Sequence, residues 1–515
     1  MVELNLFPAG GSTDVMLHIA ANMKPGLSDT EFLEKEIALW LGSDERKKQI
    51  EAEAYYDGTQ GILQRKRQTI GENGELVDVP HLPNNRLVNN QFAKMVDQKA
   101  NYSLGRPITF DTENAAYGEA LSKVFNKKMH RTIGLLAEKA LIGGCVWVCP
   151  CYNSAGDFTF SVLPAYEVLP FWADTAHTEL DCAVHLFPIY EYGSDGGRKV
   201  VYKAEVFHAK GVERFIWQTG HLIPDNDARG GAYITATDPQ TGEKTAWNWE
   251  RIPLVCFKAN RRETPLLCRV KCLQDALNAM LSDFVNNMQT DGSSTIYIVK
   301  NYDGEDLGEF RRNLITYGAV KVNTADGMDG GVETLEITVN ADNYNAIIDA
   351  LKKAIIENAR GFDAKDERLS GTPNELNIRS MYSDIDLDAN VMETEFQAAF
   401  EDLLFFVNAH LANSGMGDFN GVEVSVIFNR DILVNESEAI DNCGKSQGII
   451  SKETIVRQHP WVDDPEEELR RIANEEAAAM QEADEYRAAF ESTSGQSGGD
   501  LNATDEKDGV AGEKL

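Results

Sequence analysis

The tripeptide Gly444-Lys445-Ser446 matches the end of a phosphate-binding loop, the motif with which many ATPases hold nucleotide phosphates. The complete motif needs a second glycine five positions before Gly444, and Ala439 stands there. The motif must also follow a strand, whereas residues 435–441 have the composition of a helix. The pattern therefore predicts a helix followed by a turn and does not support an ATPase.

Three aspartates at alternate positions, Asp384, Asp386 and Asp388, could bind the metal ions of a nuclease. They lie in a predicted helix, where residues two apart point about 200° away from each other. Carboxylates that diverge in this way cannot surround one ion. The spacing favours a solvated face or a polar contact between subunits.

The cysteines and histidines do not have the spacing of a metal site. Cys145, Cys149 and Cys151 would share one face of a strand, but that segment is apolar and has no histidine close by. Cys268 and Cys272 stand four apart on a predicted helix, and we expect all five to be buried free thiols. The nine histidines are scattered, with no pair at metal-ligand spacing. The sequence predicts no catalytic residue, cofactor or metal, and hence no enzyme.

Length and charge limit the remaining possibilities. A chain of 515 residues is too long for one core, so several modules are expected. The chain has 49 Lys and Arg against 82 Asp and Glu, a net charge of −33, whereas a protein that grips nucleic acid tightly is usually basic. No apolar run approaches the roughly 18 residues of a membrane helix, and the start does not read as a secretory signal. We therefore expect a cytoplasm-like compartment, reduced thiols and, if DNA is involved, loose contact with it.

The hydrophobic periodicity predicts an α+β protein that is mainly helical. Helices are expected after the capping box Ser28-Asp29-Thr30-Glu31, over residues 44–56, over residues 89–102, and twice within residues 113–142. From Gly143 to Phe257 the pattern changes to short β-rich runs separated by turn residues.

Two predicted helices bracket a small insert in the second half of the chain. The first covers residues 266–288, the insert residues 291–341, and the second helix ends near Gly361. A polar link follows, and then Thr372-Pro373-Asn374-Glu375, a strong helix start. The helix that it opens reaches His410 or Asn413, roughly 40 residues against a mean of about 11–12.

Several segments resemble one family. Residues 84–110, 252–260, 270–288, 429–443 and 446–472 are similar in order and spacing to segments of portal proteins from phages of Gram-positive bacteria. One difference is Arg261-Arg262-Glu263-Thr264-Pro265, where many relatives are serine-rich. The resemblance implies a portal fold with wing, stem, clip and crown modules, assembled as a closed ring of about twelve subunits.

The resemblance also implies a division of the chain. The modules are a wing over residues 1–260, a stem helix over 261–290, a clip over 291–341, a second stem helix over 342–360, a tunnel loop over 361–373, a long helix with a return to the wing over 374–434, a crown over 435–490 and a disordered tail over 491–515.

A simple packing calculation supports a conduit. Twelve helices spaced by about 10 Å lie on a circle about 38 Å across, and subtracting about 10 Å for helix thickness leaves a bore of roughly 28 Å. A DNA duplex about 20 Å wide passes through such a bore.

The implied function is a channel for double-stranded DNA at one vertex of a virion, assembled in the host cytoplasm. The implied partners are a terminase packaging motor, head-completion or connector proteins, and the major capsid and scaffold proteins, with no membrane. The alternatives are another assembly protein (scaffold or shell) and, less favoured, a packaging enzyme.

The resemblance places the DNA contacts in the tunnel loop. There Lys365 and Arg368 alternate with Asp363, Asp366 and Glu367, so the segment is close to neutral. Such a segment can contact phosphates briefly without holding the DNA in place.

Overall fold

The structure is a computed structural model that describes residues 29–70, 74–79, 83–193, 196–225, 231–237, 244–291, 296–300, 308, 331–335, 340–363, 375–430, 436–462 and 465–494. Helices outnumber strands in residues covered, so the predicted α+β class is confirmed. None of the helices in these ranges is long and apolar enough to cross a membrane. The chain divides into two compact units, the first comprising Met1–Lys365 and Ser380–Ile432 and the second Asp366–Arg379 and Leu433–Leu515.

The helices of the first unit agree closely with the sequence. They are α1 Asp29–Leu41, α2 Asp44–Tyr56, α3 Gln91–Leu104, α4 Ala115–Val124, α5 Lys127–Gly143, α6 Leu267–Asp291 and α7 Ala341–Asn358. The long helix α8 spans Glu375–Asn413, and its residues from Ser380 onward belong to this unit. The predicted bounds of α2 and the predicted end of α8 at Asn413 are confirmed, whereas the predicted start at Thr372 and Pro373 lies outside the described residues.

Polar caps fix where many of these helices begin. Ser43 accepts a hydrogen bond from the backbone of Arg46 and caps α2. Asparagines take this role elsewhere, at the starts of α3, α4, α5 and α7: Asn90, Asn114, Asn126 and Asn340. Each supplies a side-chain oxygen to a backbone N–H that has no partner within its helix.

Antiparallel pairs make up the sheets of the first unit. The strands are β1 Gln68–Ile70, β2 Leu76–Asp78, β3 Thr109–Asp111, β4 Cys145–Tyr152, β5 Phe158–Pro164, β6 Val168–Trp172, β7 Leu180–Tyr192, β8 Arg198–His208, β9 Gly211–Gln218, β10 His221–Pro224, β11 Ile234–Thr237, β12 Lys244–Trp247, β13 Val255–Lys258, β14 Ile296–Lys300, β15 Gly331–Leu335 and β16 Ser425–Ile427. Their sheet orders are β10-β9-β8-β7-β6, β13-β4-β5, β1-β2, β11-β12, β14-β15 and β16-β3. The five-stranded sheet packs against α1 through the fully buried Ile37.

The largest core joins the three-stranded sheet to the helices. Phe257 of β13 is fully buried and meets Phe396 and Phe400 of α8 edge to face, with ring centroids 5.1 Å apart in both pairs. Side chains of this size contribute about 1.5–3 kcal/mol each when fully buried. The long helix is therefore anchored in the core along its second half.

The second unit contains α9 Glu436–Lys445, α10 Lys452–Gln458 and α11 Pro465–Ser494. Gly444 and Lys445 end α9, and the backbone N–H of Ser446 donates to the carbonyl of Asn442 at 3.0 Å. The predicted helix and turn are thus confirmed in place of a phosphate loop. Helix α11 continues to Ser494, past residue 491 where the tail was predicted to begin, and residues 495–515 lie outside the described ranges.

The thiol prediction was partly wrong. Cys145 is buried and Cys149 and Cys151 are half-buried, but Cys268 and Cys272 are exposed, because they lie on a face of α6 that the core does not cover. Burial raises the pKa of the Cys149 thiol, which therefore stays protonated. All of these thiols are free, and the described residues hold no cluster of three or more potential metal ligands.

Candidate functional site at the base of the predicted tunnel loop

The structure describes the beginning of the predicted tunnel loop, residues 361–363. Asp363 is half-buried there, while Lys365, Asp366, Glu367 and Arg368 lie outside the described residues. The candidate site is therefore the set of helices that carries this segment: α3, α6, α7 and α8.

Helix α7 ends in a Schellman motif with an arginine in an unusual conformation. The N–H of Arg360 donates to the carbonyl of Glu357 at 3.0 Å, and that of Gly361 donates to Ile356 at 2.9 Å. Arg360 has a φ of 52°, a left-handed conformation that glycine usually occupies. A residue with a side chain costs about 1–2 kcal/mol there.

The next two residues are clamped to α3. The side chain of Gln98 accepts a hydrogen bond from the N–H of Phe362 at 3.0 Å and donates one to its carbonyl at 2.8 Å. A Cβ atom at Gly361 would lie 2.6 Å from the sulfur of Met95, so a larger residue does not fit without displacement. The ring of Phe362 lies 4.6 Å from that of Tyr382 on α8. These contacts of Gly361 and Phe362 therefore fix the direction in which the chain leaves α7.

Three cationic side chains surround the carboxylate of Asp388 on α8. Its Oδ2 atom lies 2.9 Å from the Nζ atom of Lys99 and 2.6 Å from the Nη1 atom of Arg269. Its Oδ1 atom lies 2.9 Å from the Nη1 atom of Arg360. Residues of α3, α6, α8 and the end of α7 therefore meet at this carboxylate.

Burial and charge act in opposite directions on these groups. The side chain of Lys99 is 4% exposed, and burial lowers its pKa although Asp388 partly offsets the effect. Burial alone would raise the pKa of Asp388, but the charges of Lys99 and Arg269 more than compensate and lower it. Lys99 lies among the buried residues of α3, at the spacing of Phe92, Met95 and Val96. A lysine in an apolar stripe was the sequence signal that could have revealed this network.

A second network involves Asp386 and Glu393, on another face of α8. Arg430 holds Glu393 through two hydrogen bonds, 2.7 Å to Oε1 and 2.8 Å to Oε2, and lies 2.7 Å from the Oδ1 atom of Asp386. The hydroxyl of Tyr102 also donates to Asp386. Asp384 is exposed. The expectation of a solvated or intersubunit face for all three aspartates was thus wrong for Asp386 and Asp388, which are paired within the chain.

A row of buried polar residues on α6 binds an extended segment before α3. The row repeats every four positions: Gln274, Asn278, Ser282 and Asn286. Their side-chain oxygens accept hydrogen bonds from backbone N–H groups, at 2.7 Å for Asn85, 3.0 Å for Leu87, 2.9 Å for Asn89 and 3.1 Å for Phe92. Two residues of extended chain advance about 6.6 Å and four helical residues about 6.0 Å, so the two repeats match from Asn85 to Asn89. Phe92 follows after three residues and is the second residue of α3, so the fourth bond holds the start of that helix.

The segment Arg261-Arg262-Glu263-Thr264-Pro265 has a defined position before α6. The Oε1 atom of Glu263 lies 2.9 Å from the Nζ atom of Lys258 and 2.8 Å from the Nδ1 atom of His177. Glu263 and His177 both have left-handed backbones, with φ of 53° and 56°. Burial would raise the pKa of Glu263, but these two partners more than offset it and lower it. The contacts just before α6 are thus specific ones within the chain.

Within the described ranges, the charged groups of these networks are paired with each other or with the backbone. Such an arrangement fixes the positions of helices, and no group of three or more potential metal ligands occurs in the part of the chain that the structure describes. These ion pairs and hydrogen bonds therefore hold α3, α6, α7 and α8 in fixed positions.

Comparison with known proteins identifies the family to which the chain is similar. The family described as "Phage portal protein, SPP1 Gp6-like" matches residues 41–482. The portal protein of Bacillus phage SPP1 is 28% identical over 433 residues, which are 82% of each chain. The portal protein of Clostridium phage phiCD119 is 26% identical over 467 residues, 88% of this chain and 98% of that one.

A solved structure entitled "Virion of native gene transfer agent (GTA) particle" contains a chain that is 13% identical to this one. The matched region is 70% of this chain and 87% of that chain. Its TM-score of 0.36 is too low to carry an argument. The family match covers most of the sequence, and both relatives come from phages named for Gram-positive hosts, so the resemblance noted in the sequence is confirmed. The chain belongs to the SPP1 Gp6-like family of phage portal proteins.

Proposed function

We propose that the chain is the subunit of a closed portal ring through which double-stranded DNA enters and leaves a phage capsid. The observation that carries this proposal is the family match over residues 41–482. The order of the elements supports it, since α6 and α7 bracket the region that contains β14 and β15, and α8 follows the predicted loop. The protein would reside at one vertex of the virion after assembly in the host cytoplasm.

The module boundaries follow from this proposal. Helices α6 and α7 would form the stem, residues 291–341 the clip, residues 361–373 the tunnel loop and residues 435–490 the crown. The two stem helices pack together through Phe284 and Tyr344, whose ring centroids lie 5.0 Å apart, and Asn287 donates to the hydroxyl of Tyr344 at 2.9 Å. A pair of packed helices repeated around an axis can line a channel without needing a partner protein.

The ring would conduct DNA passively. A separate terminase motor would supply the chemical energy and dock on the clip, where head-completion or connector proteins would bind later. Capsid and scaffold proteins would surround the wing. Twelve copies of a chain with a net charge of −33 bring together about −400 formal charges, so assembly should require counterions. Acidic walls also suit a duplex that must slide.

Electron microscopy of the purified full chain tests the proposal. Top views with about twelve subunits around a hole of roughly 30 Å would support it. Monomers or dimers at every salt concentration from 50 mM to 1 M would refute it. Assays of ATP hydrolysis and DNA cleavage on the same sample address the enzyme alternative, and turnover of either substrate would contradict a passive conduit. The clip assignment fails if substitutions in residues 291–341 leave the affinity for the motor unchanged.

A further inference from the structure

The carboxylate of Asp388 lies in the wall of a cavity of about 110 Å³. The cavity is lined by Lys99, Arg269 and Arg360 on its charged side and by apolar groups such as Leu141, Leu266 and Met392 elsewhere. One water needs only about 10–15 Å³ of such space, so a four-oxygen anion fits. All of the lining residues belong to the first unit.

The charges around this cavity do not balance. In the part of the chain that the structure describes, the lining has three cations and one carboxylate, which leaves an excess of two positive charges. Lys99 is almost fully buried, and burial together with the two arginines lowers its pKa. A cation in this position gains strongly from a second nearby anion, because the apolar wall weakens screening by water. The excess is unusual in a chain whose net charge is −33.

The arginines are open to a ligand and are placed there at a cost. Arg269 and Arg360 are 39% and 49% exposed, so their guanidinium groups can be reached from solvent. Arg360 keeps a left-handed backbone, which a glycine would adopt without strain. Guanidinium groups present several donors in a plane and bind phosphate oxygens in pairs.

We propose that this cavity is a binding site for a phosphate group, held by Arg269 and Arg360 with Lys99 beneath it. The charge of the site favours phosphate over a single carboxylate. Inorganic phosphate at pH 7.5 is a mixture of monoanion and dianion, carries about −1.5 and neutralises most of the excess, whereas one carboxylate neutralises half of it. The phosphate comes either from inorganic phosphate or from DNA, whose backbone phosphates carry one negative charge each, so that two of them would be needed for the same neutralisation. Only the DNA source depends on the proposed conduit function.

Calorimetric titration of the full chain with sodium phosphate at pH 7.5, against sodium chloride of equal ionic strength, tests the site. The expected result is saturable binding that weakens at least tenfold in Arg360→Gly and in Arg269→Gln. Arg360→Gly removes the guanidinium and relieves the backbone strain, so it is designed to keep the fold, which a thermal melt confirms. Arg261→Gln is the matched control, because Arg261 is 76% exposed and lies outside the cavity lining. Its affinity should equal that of the wild type.

Two results would overturn the proposal. One is a heat of titration of the wild type with phosphate that is no larger than the heat with chloride. The other is an equal phosphate affinity in the wild type and in both cavity variants. Loss of self-association in the variants without phosphate binding by the wild type would also overturn it, in favour of a carboxylate from a second copy.

A competition arm identifies the source of the phosphate. Short duplex DNA that weakens phosphate binding to the wild type, and binds less well to Arg360→Gly, supports a DNA phosphate. Duplex DNA without this effect supports inorganic phosphate at the same site. If the chain binds phosphate but forms no rings, the phosphate site is supported and the ring is refuted. If it forms rings but does not bind phosphate, the ring is supported and the phosphate site is refuted.

Discussion

Lys99 on α3 donates a hydrogen bond to the Oδ2 atom of Asp388 on α8 at 2.9 Å, across 289 positions of sequence. Arg269 and Arg360 bring the start of α6 and the end of α7 to the same carboxylate. The base of the predicted tunnel loop is therefore fixed by one acidic residue whose removal leaves three cations facing one another.

Asp388→Asn is expected to lower the free energy of unfolding by about 3 kcal/mol, because it leaves the buried ammonium of Lys99 without a counter-charge. Urea denaturation followed by circular dichroism measures the change. The control is Asp384→Asn, four positions away and exposed, which should stay within about 0.5 kcal/mol of the wild type. Equal effects of the two substitutions would show that the network does not contribute to stability.

Asn278→Leu is expected to cost about 2 kcal/mol, because it leaves the backbone N–H of Asn89 buried without an acceptor. The amide of Asn89 should also exchange with deuterium much faster than in the wild type, since its opening no longer breaks a hydrogen bond. Cys272→Ser on the exposed face of the same helix is the control and should change neither quantity. Unchanged exchange at residues 85–92 in Asn278→Leu would contradict the pairing.

Gly361→Ala is expected to destabilise the protein by about 1–3 kcal/mol, because its Cβ would overlap the buried sulfur of Met95 and the side chain of Gln98. Limited proteolysis should cut residues 361–373 faster, as the clamp on Phe362 opens. Gly134→Ala in α5 is the control, and its expected effect on stability has the opposite sign. A Cβ there meets no atom within 4 Å, so it should stabilise by about 0.5–1 kcal/mol. A stable, protease-resistant Gly361→Ala would refute the close packing.

His185 lies between two carboxylates, 3.4 Å from Glu167 and 3.5 Å from Glu205. Burial lowers its pKa, but hydrogen bonds to these carboxylates outweigh burial, and its pKa is raised above 6.5. The histidine therefore stabilises the folded chain fully below pH 6.5, and this contribution is lost as the pH rises through the folded-state pKa. Arg214 also pairs with Glu205, at 2.9 Å, and holds it charged throughout.

His185→Gln should remove that dependence on pH. The difference in unfolding free energy between wild type and His185→Gln is expected to be largest near pH 6 and smaller near pH 9. Urea titrations at five pH values measure it. His221→Gln is the control, because the side chain of His221 is 71% exposed. A difference that grows as the pH rises would reverse the sign and contradict the assignment.

Deletion of residues 364–369 is expected to leave ring assembly intact and to abolish DNA packaging, if these residues narrow the bore. Assembly is measured by electron microscopy, and packaging by the DNA content of capsids made with the variant. A deletion of equal length within the tail, residues 500–505, is the control. Packaging at normal yield by the loop deletion would show that residues 364–369 are not needed in the channel.

Local elements could be predicted from the sequence, because their signals are local. The bounds of α2 follow from Ser43 and Asp57-Gly58. Thr372-Pro373-Asn374-Glu375 predicts the start of α8, and of these residues Glu375 alone is described. Among the residues predicted to contact DNA, Asp363 alone is described, so the DNA contacts stay a prediction.

The networks could not be predicted, because they depend on which faces of distant helices meet. Asp386 and Asp388 look alike in sequence, yet one pairs with Arg430 and the other with Lys99. Cys272 and Gln274 are two positions apart on α6, but one is exposed and the other fully buried. The sequence of α6 alone does not show which of its faces binds the segment before α3.

The matched repeats of α6 and residues 85–89 have a mechanical consequence. A force along the axis of α6 would stretch the three amide hydrogen bonds of this segment together, whereas a force pulling the segment away would break them one after another. The attachment is therefore stiff along the helix axis and comparatively weak to peeling. In the proposed ring, the stiff direction is the one in which a moving duplex would drag on the stem.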